Sequence, residues 1–214
     1  MKGLWIALLC LHSAQAAAEQ LAGRVLFVSG SAKIVHASGH EKAMVRGDQV
    51  HVGDRLVIED GALGQVKLGD GSLLALRSGS AVRLESFTSI PRDGIAAVVQ
   101  LDRGAIRVIN RAVLLGGNPA ALLVKTSSAS IRLADADGDA FVIETGRKHG
   151  EGAGAGTYSR VLTGAGSITT DRGNLWLERG AVGFAADGDS TPAPLAGLPS
   201  GLLDAIASTG VGTP

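Results

Sequence analysis

Apolar residues in this chain come in runs of a few residues, and Gly, Asp and Ser separate the runs. The densest example is Gly47-Asp48-Gln49-Val50-His51-Val52-Gly53-Asp54-Arg55-Leu56. It continues through Gly61 and Gly64 to Val66-Lys67-Leu68-Gly69-Asp70-Gly71-Ser72-Leu73-Leu74-Ala75-Leu76. Glycine takes positive φ without a steric penalty, and aspartate closes an Asx-turn on the backbone two residues on. Asp70-Gly71, between two apolar runs, therefore predicts a hairpin. Gly47-Asp48 and Gly53-Asp54 predict further turns, so the strands between them must be short.

The same pattern runs along most of the chain. It predicts strands at 23–28, 32–35, 65–68, 73–76, 81–87, 95–102 and 105–109, with 36–42 as a polar turn. Turns fall at Ser29-Gly30-Ser31, Ser78-Gly79-Ser80, Pro91-Arg92-Asp93-Gly94 and Arg103-Gly104. The stretch 113–118 is a candidate boundary, with Gly116-Gly117-Asn118-Pro119 as a loop. Beyond it, strands are predicted at 122–126, 130–133, 141–144, 158–162, 166–169, 175–178 and 181–184. Almost no helix is expected. Short strands, frequent glycine turns and no exact repeat predict an all-β fold, a β-solenoid-like roll or a sandwich.

Both ends differ. Residues 1–18 read as a secretory signal peptide: Lys2, an apolar core at 4–11, and Ala14-Gln15-Ala16, with cleavage after Ala16 or Ala18. That core is less than half the ~20 residues needed to span a bilayer. Cys10, the single cysteine, lies within it, and Leu9 stands where a lipoprotein signal wants a small residue. The mature chain then has no disulfide and no cysteine metal site. The expected organisation is a β domain at 19–114, a C-terminal β extension packed on it at 115–187, and a Pro/Gly-rich tail at 188–214. In the tail, Leu202, Leu203 and Ile206 share one face of a short helix, which either docks on the body or moves with a free tail.

Composition narrows the function. Of 214 residues, 45% are apolar, enough for a core, and only 3% are aromatic. A formal net charge of zero gives no reason to expect nucleic acid as partner.

Candidate chemistry is sparse. Asp135, Asp137 and Asp139 alternate, as oxygen ligands for Ca²⁺ would, but Ala140 and Gly146 stand where an EF-hand loop needs Gly and Glu. A polar turn is the simpler reading, with cation binding left open. The stretch 150–156 is Gly-rich without a following Gly-Lys-Ser/Thr, so it reads as a surface loop. Asp48, Asp54 and Asp70 each sit beside glycine at a turn, where the carboxylate serves its own backbone. Among His36, His40, His51 and His149, only His36 and His40 flank one loop and suggest a metal pair, and no metal or cofactor is expected. There is no Gly-x-Ser-x-Gly elbow and no assembled catalytic motif. Trp176 alternates with Leu175 and Leu177 and faces away from them. It is either a core aromatic or an exposed contact anchor.

The ordered set Gly47-Asp48, Gly53-Asp54, Val57-Ile58 to Gly61, a strand at 65–68, Asp70-Gly71-Ser72 and a strand at 73–76 resembles the FecR domain, an extracytoplasmic domain of bacterial envelopes. The resemblance covers about residues 21–84 well. It departs at Glu59-Asp60-Gly61, where many members carry Thr before the glycine, and at Ile131-Arg132-Leu133-Ala134-Asp135, which stands in place of an Arg-Gly-Thr element. The regulator that names the family carries a cytoplasmic segment and a membrane span. Neither is read in this sequence, so an anti-sigma role is not expected to carry over. The resemblance implies a periplasmic or secreted, non-enzymatic module for sensing or signalling, whose partner is an envelope or membrane protein. Exposed turns at Asp60 and Asp93, with Trp176, are the expected contact points. The alternative is a structural envelope scaffold or a cell-wall or polysaccharide-binding protein.

Overall fold

The computed structural model describes residues 20–91, 94–112, 117, 119–135, 137–146 and 153–207. The stretch 1–18 read as a signal peptide, Asp93, His149, Gly116 and Asn118 of the 116–119 loop, the start of the 150–156 stretch and the chain beyond 207 lie outside the described residues.

Seventeen strands and one helix make up the described fold. The first are β1 (Leu21–Ser29), β2 (Ala32–Val35), β3 (Glu41–Ala43), β4 (Gln49–His51), β5 (Arg55–Ile58), β6 (Leu63–Leu68), β7 (Leu73–Leu76) and β8 (Ala81–Phe87). The long β9 (Ile95–Ile109) lies at the centre. Then come β10 (Ala121–Lys125), β11 (Ser130–Leu133), β12 (Asp139–Thr145), β13 (Gly156–Thr163), β14 (Gly166–Thr170), β15 (Gly173–Leu177), β16 (Val182–Ala185) and β17 (Ala193–Leu195). Helix α1 (Ser200–Ala207) ends the described chain.

Hydrogen bonds join all the strands into one network, and β9 divides it into two layers. The first layer runs β4-β1-β6-β7-β9-β12-β13-β16-β17. The second runs β3-β2-β5-β8-β9-β10-β11-β14-β15. Every pairing is antiparallel except β9 with β10. Hairpins fall on both layers, and the chain passes back and forth between them as an all-β, sandwich-like roll that is not a closed barrel.

Alternation builds the interior. In β6, Gly64, Val66 and Leu68 point inward while Gln65 and Lys67 face out, and Leu74 and Leu76 of β7 repeat the pattern. One core cluster joins Val25, Leu76 and Ile106 of the first layer to Ile34, Leu84, Val99 and Ile131 of the second. It extends without a break through Val142, Val161 and Ile168 in the C-terminal strands.

Strand β9 departs from the sequence expectation of two strands about an Arg103-Gly104 turn. Its first half pairs with β8 and β10 in the second layer, and its last residues pair with β7 and β12 in the first. The chain bends at Gly104 (φ 87°) and transfers from one layer to the other. Ser80 pins this joint: its Oγ donates to the Ala105 carbonyl at 2.8 Å and accepts from the Ala105 amide at 3.2 Å. A Cβ on Gly104 would lie 2.7 Å from Ser80 Cα. A true turn would leave each half to pair with the other; here both halves have flanking partners instead.

The outer face of the first layer is partly covered by the chain's own C-terminal segment. Ala105, Ile143, Tyr158 and Phe184 lie in one row across β9, β12, β13 and β16. Leu202 of α1, fully buried, packs on this row with Leu195 and Leu198. Burying such a leucine contributes about 1.5–3 kcal/mol. Tyr158 and Phe184 add a ring contact at 4.5 Å. Leu203 of the same helix is 42% exposed, so the two adjacent leucines do not share a buried face.

Candidate functional site

The three turn aspartates hold backbone, and Asp48 and Asp54 each take a side-chain partner as well. Asp70 Oδ1 accepts from the Ser72 amide at 2.8 Å, and the Ser72 hydroxyl accepts from the Arg111 amide at 2.9 Å. Asp48 Oδ2 accepts from the Val45 amide and Oδ1 from Lys42 Nζ, both at 2.9 Å. Burial pushes the Asp48 carboxyl up. The Lys42 and Val45 hydrogen bonds and the nearby positive charge outweigh it and hold the group below its usual range. Gly47, Gly53 and Gly71 sit beside these aspartates at φ 94°, 92° and 93°, the left-handed turn positions that favour glycine.

Asp54 is the deepest of the three, 1% exposed. Its Oδ2 accepts from the His51 amide at 2.8 Å, and its Oδ1 lies 2.9 Å from His36 Nδ1. His51 Nδ1 is 3.6 Å from Oδ2. Among the described residues this is the one group of three metal-capable side chains, with ligand atoms all within 4.8 Å of one another. His36 and His40, which the sequence offered as a weak metal site, form a ring stack at 6.1 Å with His40 exposed, while His36, just after β2, meets His51 and Asp54 of β4 and the β4–β5 turn.

The carboxylates of Asp135, Asp137 and Asp139 diverge. Asp135 accepts from the Ala165 amide at 2.7 Å, Asp137 pairs with Arg111, and Asp139 takes a two-point bond from Arg107 at 2.9 and 2.5 Å. Arg107 stands opposite Phe141 in the β9–β12 register, and its guanidinium lies 5.8 Å from the ring centroid. Arg77 approaches the same ring at 5.3 Å. It is 3% exposed, and its Nε and Nη1 find no acceptor. Burial, with Arg107's charge, holds the Arg77 guanidinium below its ordinary value; the Asp139 hydrogen bonds raise that of Arg107.

Two buried hubs escaped the sequence reading. Asn110 Nδ2 donates to the carbonyls of Ala120, Leu133 and Asp135 and ties three connections together. Glu144, 5% exposed, accepts from Ser127 and Thr157 hydroxyls at 2.5 Å each. It links β12 to the β10–β11 turn of the opposite layer and closes one end of the core.

The exposed surfaces are unequal. In the second layer, Asn174, Thr169, Ser130, Lys125, Gln100 and Arg83 form one polar row across six strands, the mark of a solvated sheet face. Trp176, 58% exposed, stands on this face at the β15 edge, while Leu175 and Leu177 point to the core. The other edge strands, β3, β4 and β17, have three residues each, and β17 contains Pro194. Strand β15 has five residues and no proline. Asp60 is exposed at the rim of a cleft of about 410 Å³ that Arg103, Glu144 and Leu202 also line. In β1, a register shift at Leu26 leaves Leu26 and Phe27 partly exposed.

No protein-family model matches this sequence, and no curated protein matches it. Solved structures do. Two crystal structures of a "putative anti-sigma factor" from Parabacteroides distasonis ATCC 8503, at 1.65 and 2.50 Å resolution, each match with a TM-score of 0.50 and 15% sequence identity. The match covers 67% of this chain and 59% of theirs, so the chain spans less than two thirds of their length. What it shares with them is the all-β fold.

Proposed function

We propose that this protein is an exported, non-catalytic, FecR-like binding module of the bacterial envelope that serves extracytoplasmic sensing or signalling through protein–protein contacts. The observation that carries the reading is the β15 edge. Sheet proteins blunt their edges with short strands, proline or charge. Three edges here are short, and one of them carries proline; β15 is longer and presents a large aromatic to solvent. A partner strand added along β15 gains main-chain hydrogen bonds, and Trp176 supplies the side-chain anchor. The ordered Gly-Asp turns and the shared fold with a "putative anti-sigma factor" support the signalling side of the reading.

The test places a photo-crosslinking residue at position 176 and captures adducts from intact envelopes. The expected result is one dominant membrane-protein adduct, absent when the same residue is placed at Arg83 on the far side of the polar face. Recovery of the protein alone would refute the reading. Co-sedimentation of the protein with cell-wall material, with no protein adduct, would favour the scaffold or polysaccharide-binding alternative.

A further inference from the structure

We propose that His36, His51 and Asp54 form a binding site for a divalent transition-metal ion, with Zn²⁺ the best fit. The donors are two imidazoles and one carboxylate, a set that suits Zn²⁺, Cu²⁺ or Ni²⁺ better than the all-oxygen preference of Ca²⁺ or Mg²⁺. Zn–N and Zn–O bonds of about 2.0–2.1 Å set tetrahedral ligand edges near 3.3 Å. The His36 Nδ1–Asp54 Oδ1 and His51 Nδ1–Asp54 Oδ2 separations, 2.9 and 3.6 Å, bracket that edge. Those distances run to different oxygens of the carboxylate, and the three ligand atoms lie within 4.8 Å of one another, so the imidazoles share one ion by closing toward a single oxygen.

The surroundings favour a built site over a chance meeting. Asp54 is held from behind: its Oδ2 accepts from the His51 amide, and its own amide donates to the His51 carbonyl at 3.1 Å. Such anchoring of a ligating carboxylate fixes its direction. The His36 ring is stacked on His40 with an interplanar angle of 1°. The His36 and His51 side chains are 15% and 16% exposed, which leaves an approach for the ion and room for water at the fourth position. Without the ion the His36 Nδ1–H donates to Asp54 Oδ1; when the ion binds, that hydrogen bond is exchanged for a bond from Nδ1 to the metal and the ring proton resides on Nε2. The ion would tie the 36–40 loop, the end of β4 and the β4–β5 turn into one unit.

The test uses the full chain without a histidine tag. Co²⁺ serves as the optical probe and Zn²⁺ as the calorimetric one. One ion per chain is expected, with the visible bands of tetrahedral Co²⁺ displaced by Zn²⁺. His36→Gln and His51→Gln should each weaken binding at least tenfold, and His40→Gln, which removes a ring stack but no ligand, should weaken it less than either, with circular dichroism confirming the fold of each variant. Zn²⁺ at a hundred times its Kd should raise the folded-to-unfolded ratio of the wild type about a hundredfold in urea titrations, an effect reversed by chelator. Absence of both the Co²⁺ bands and the Zn²⁺-dependent stabilisation in the wild type would overturn the proposal. Equal binding by the His36→Gln/His51→Gln double variant would overturn it as well.

Discussion

Gly104→Ala is expected to destabilise the protein by about 2–4 kcal/mol. Two costs combine at this residue. Its φ of 87° lies in the left-handed region, where a Cβ costs about 1–2 kcal/mol. The added methyl would also stand 2.7 Å from Ser80 Cα and 2.8 Å from Ser80 Oγ. Backbone cannot yield there as a flexible side chain would, and overpacking of this kind costs about 1–3 kcal/mol. Alanine recovers about 0.4–1 kcal/mol by restricting the unfolded chain. Gly180→Ala is the control: its φ is 85°, but no atom lies within 4 Å of the place its methyl would take, so only the backbone cost applies. Urea titration reads both as midpoint shifts at constant slope. The Gly104 variant should fall below the Gly180 variant by at least about 1 kcal/mol, the steric share. If the two agree within about 0.5 kcal/mol, the Ser80 contact is not tight and the account of the joint is wrong.

Three further variants, and one double-mutant cycle between two of them, probe side chains. Asp139→Asn removes the two-point partner of Arg107 and leaves it beside Arg77, at an expected loss of about 1.5–3 kcal/mol by urea titration. Arg77→Met removes a buried guanidinium with two unsatisfied nitrogens and keeps a long apolar stem against Phe141, so it should stabilise by about 1 kcal/mol. In a double-mutant cycle, Arg77→Met should soften the cost of Asp139→Asn, and strict additivity would count against the coupling. For Asp48, the folded carboxyl titrates below its usual value of 3.8, so its stabilisation is present above that value and is lost as pH falls through the folded one. Asp48→Asn should therefore be less stable than wild type at neutral pH, and the difference should close in acid below pH 3.8. A gap independent of pH would refute the linkage.

The local pattern carried most of the strands. Ala32–Val35 is the same in sequence and structure, and the Asp70-Gly71 turn joins β6 to β7 as its residues predict. Alternation also put Trp176 on the face opposite Leu175 and Leu177, and the structure makes the leucine side the core and the Trp176 side the exposed face. What alternation cannot register is which strands meet. Arg103-Gly104 has turn chemistry, yet the chain continues because partners on both sides hold each half of β9. Glu41–Ala43 and Ala193–Leu195 are too short and too polar or Pro-containing to read as strands, and pairing with β2 and β16 makes them so. Asn110 and Glu144 look like turn and surface residues until distant carbonyls and hydroxyls arrive around them. The His36–His51–Asp54 group was hidden for the same reason: its members belong to different elements, and sequence proximity favoured His40.

The sharing of β9 by both layers has a consequence for how the molecule is made. Synthesis proceeds from the N-terminus, so the strands before β9 emerge first, and β7 and β8 then wait with unsatisfied edges, one on each layer. A single fifteen-residue segment caps both at once. Until it arrives, the partly folded chain carries two templates for mispairing with other copies of itself. Once it is in place, neither layer can be peeled away alone, because the strand that would have to leave also belongs to the other. Assembly and resistance to partial unravelling are thus concentrated in the same step.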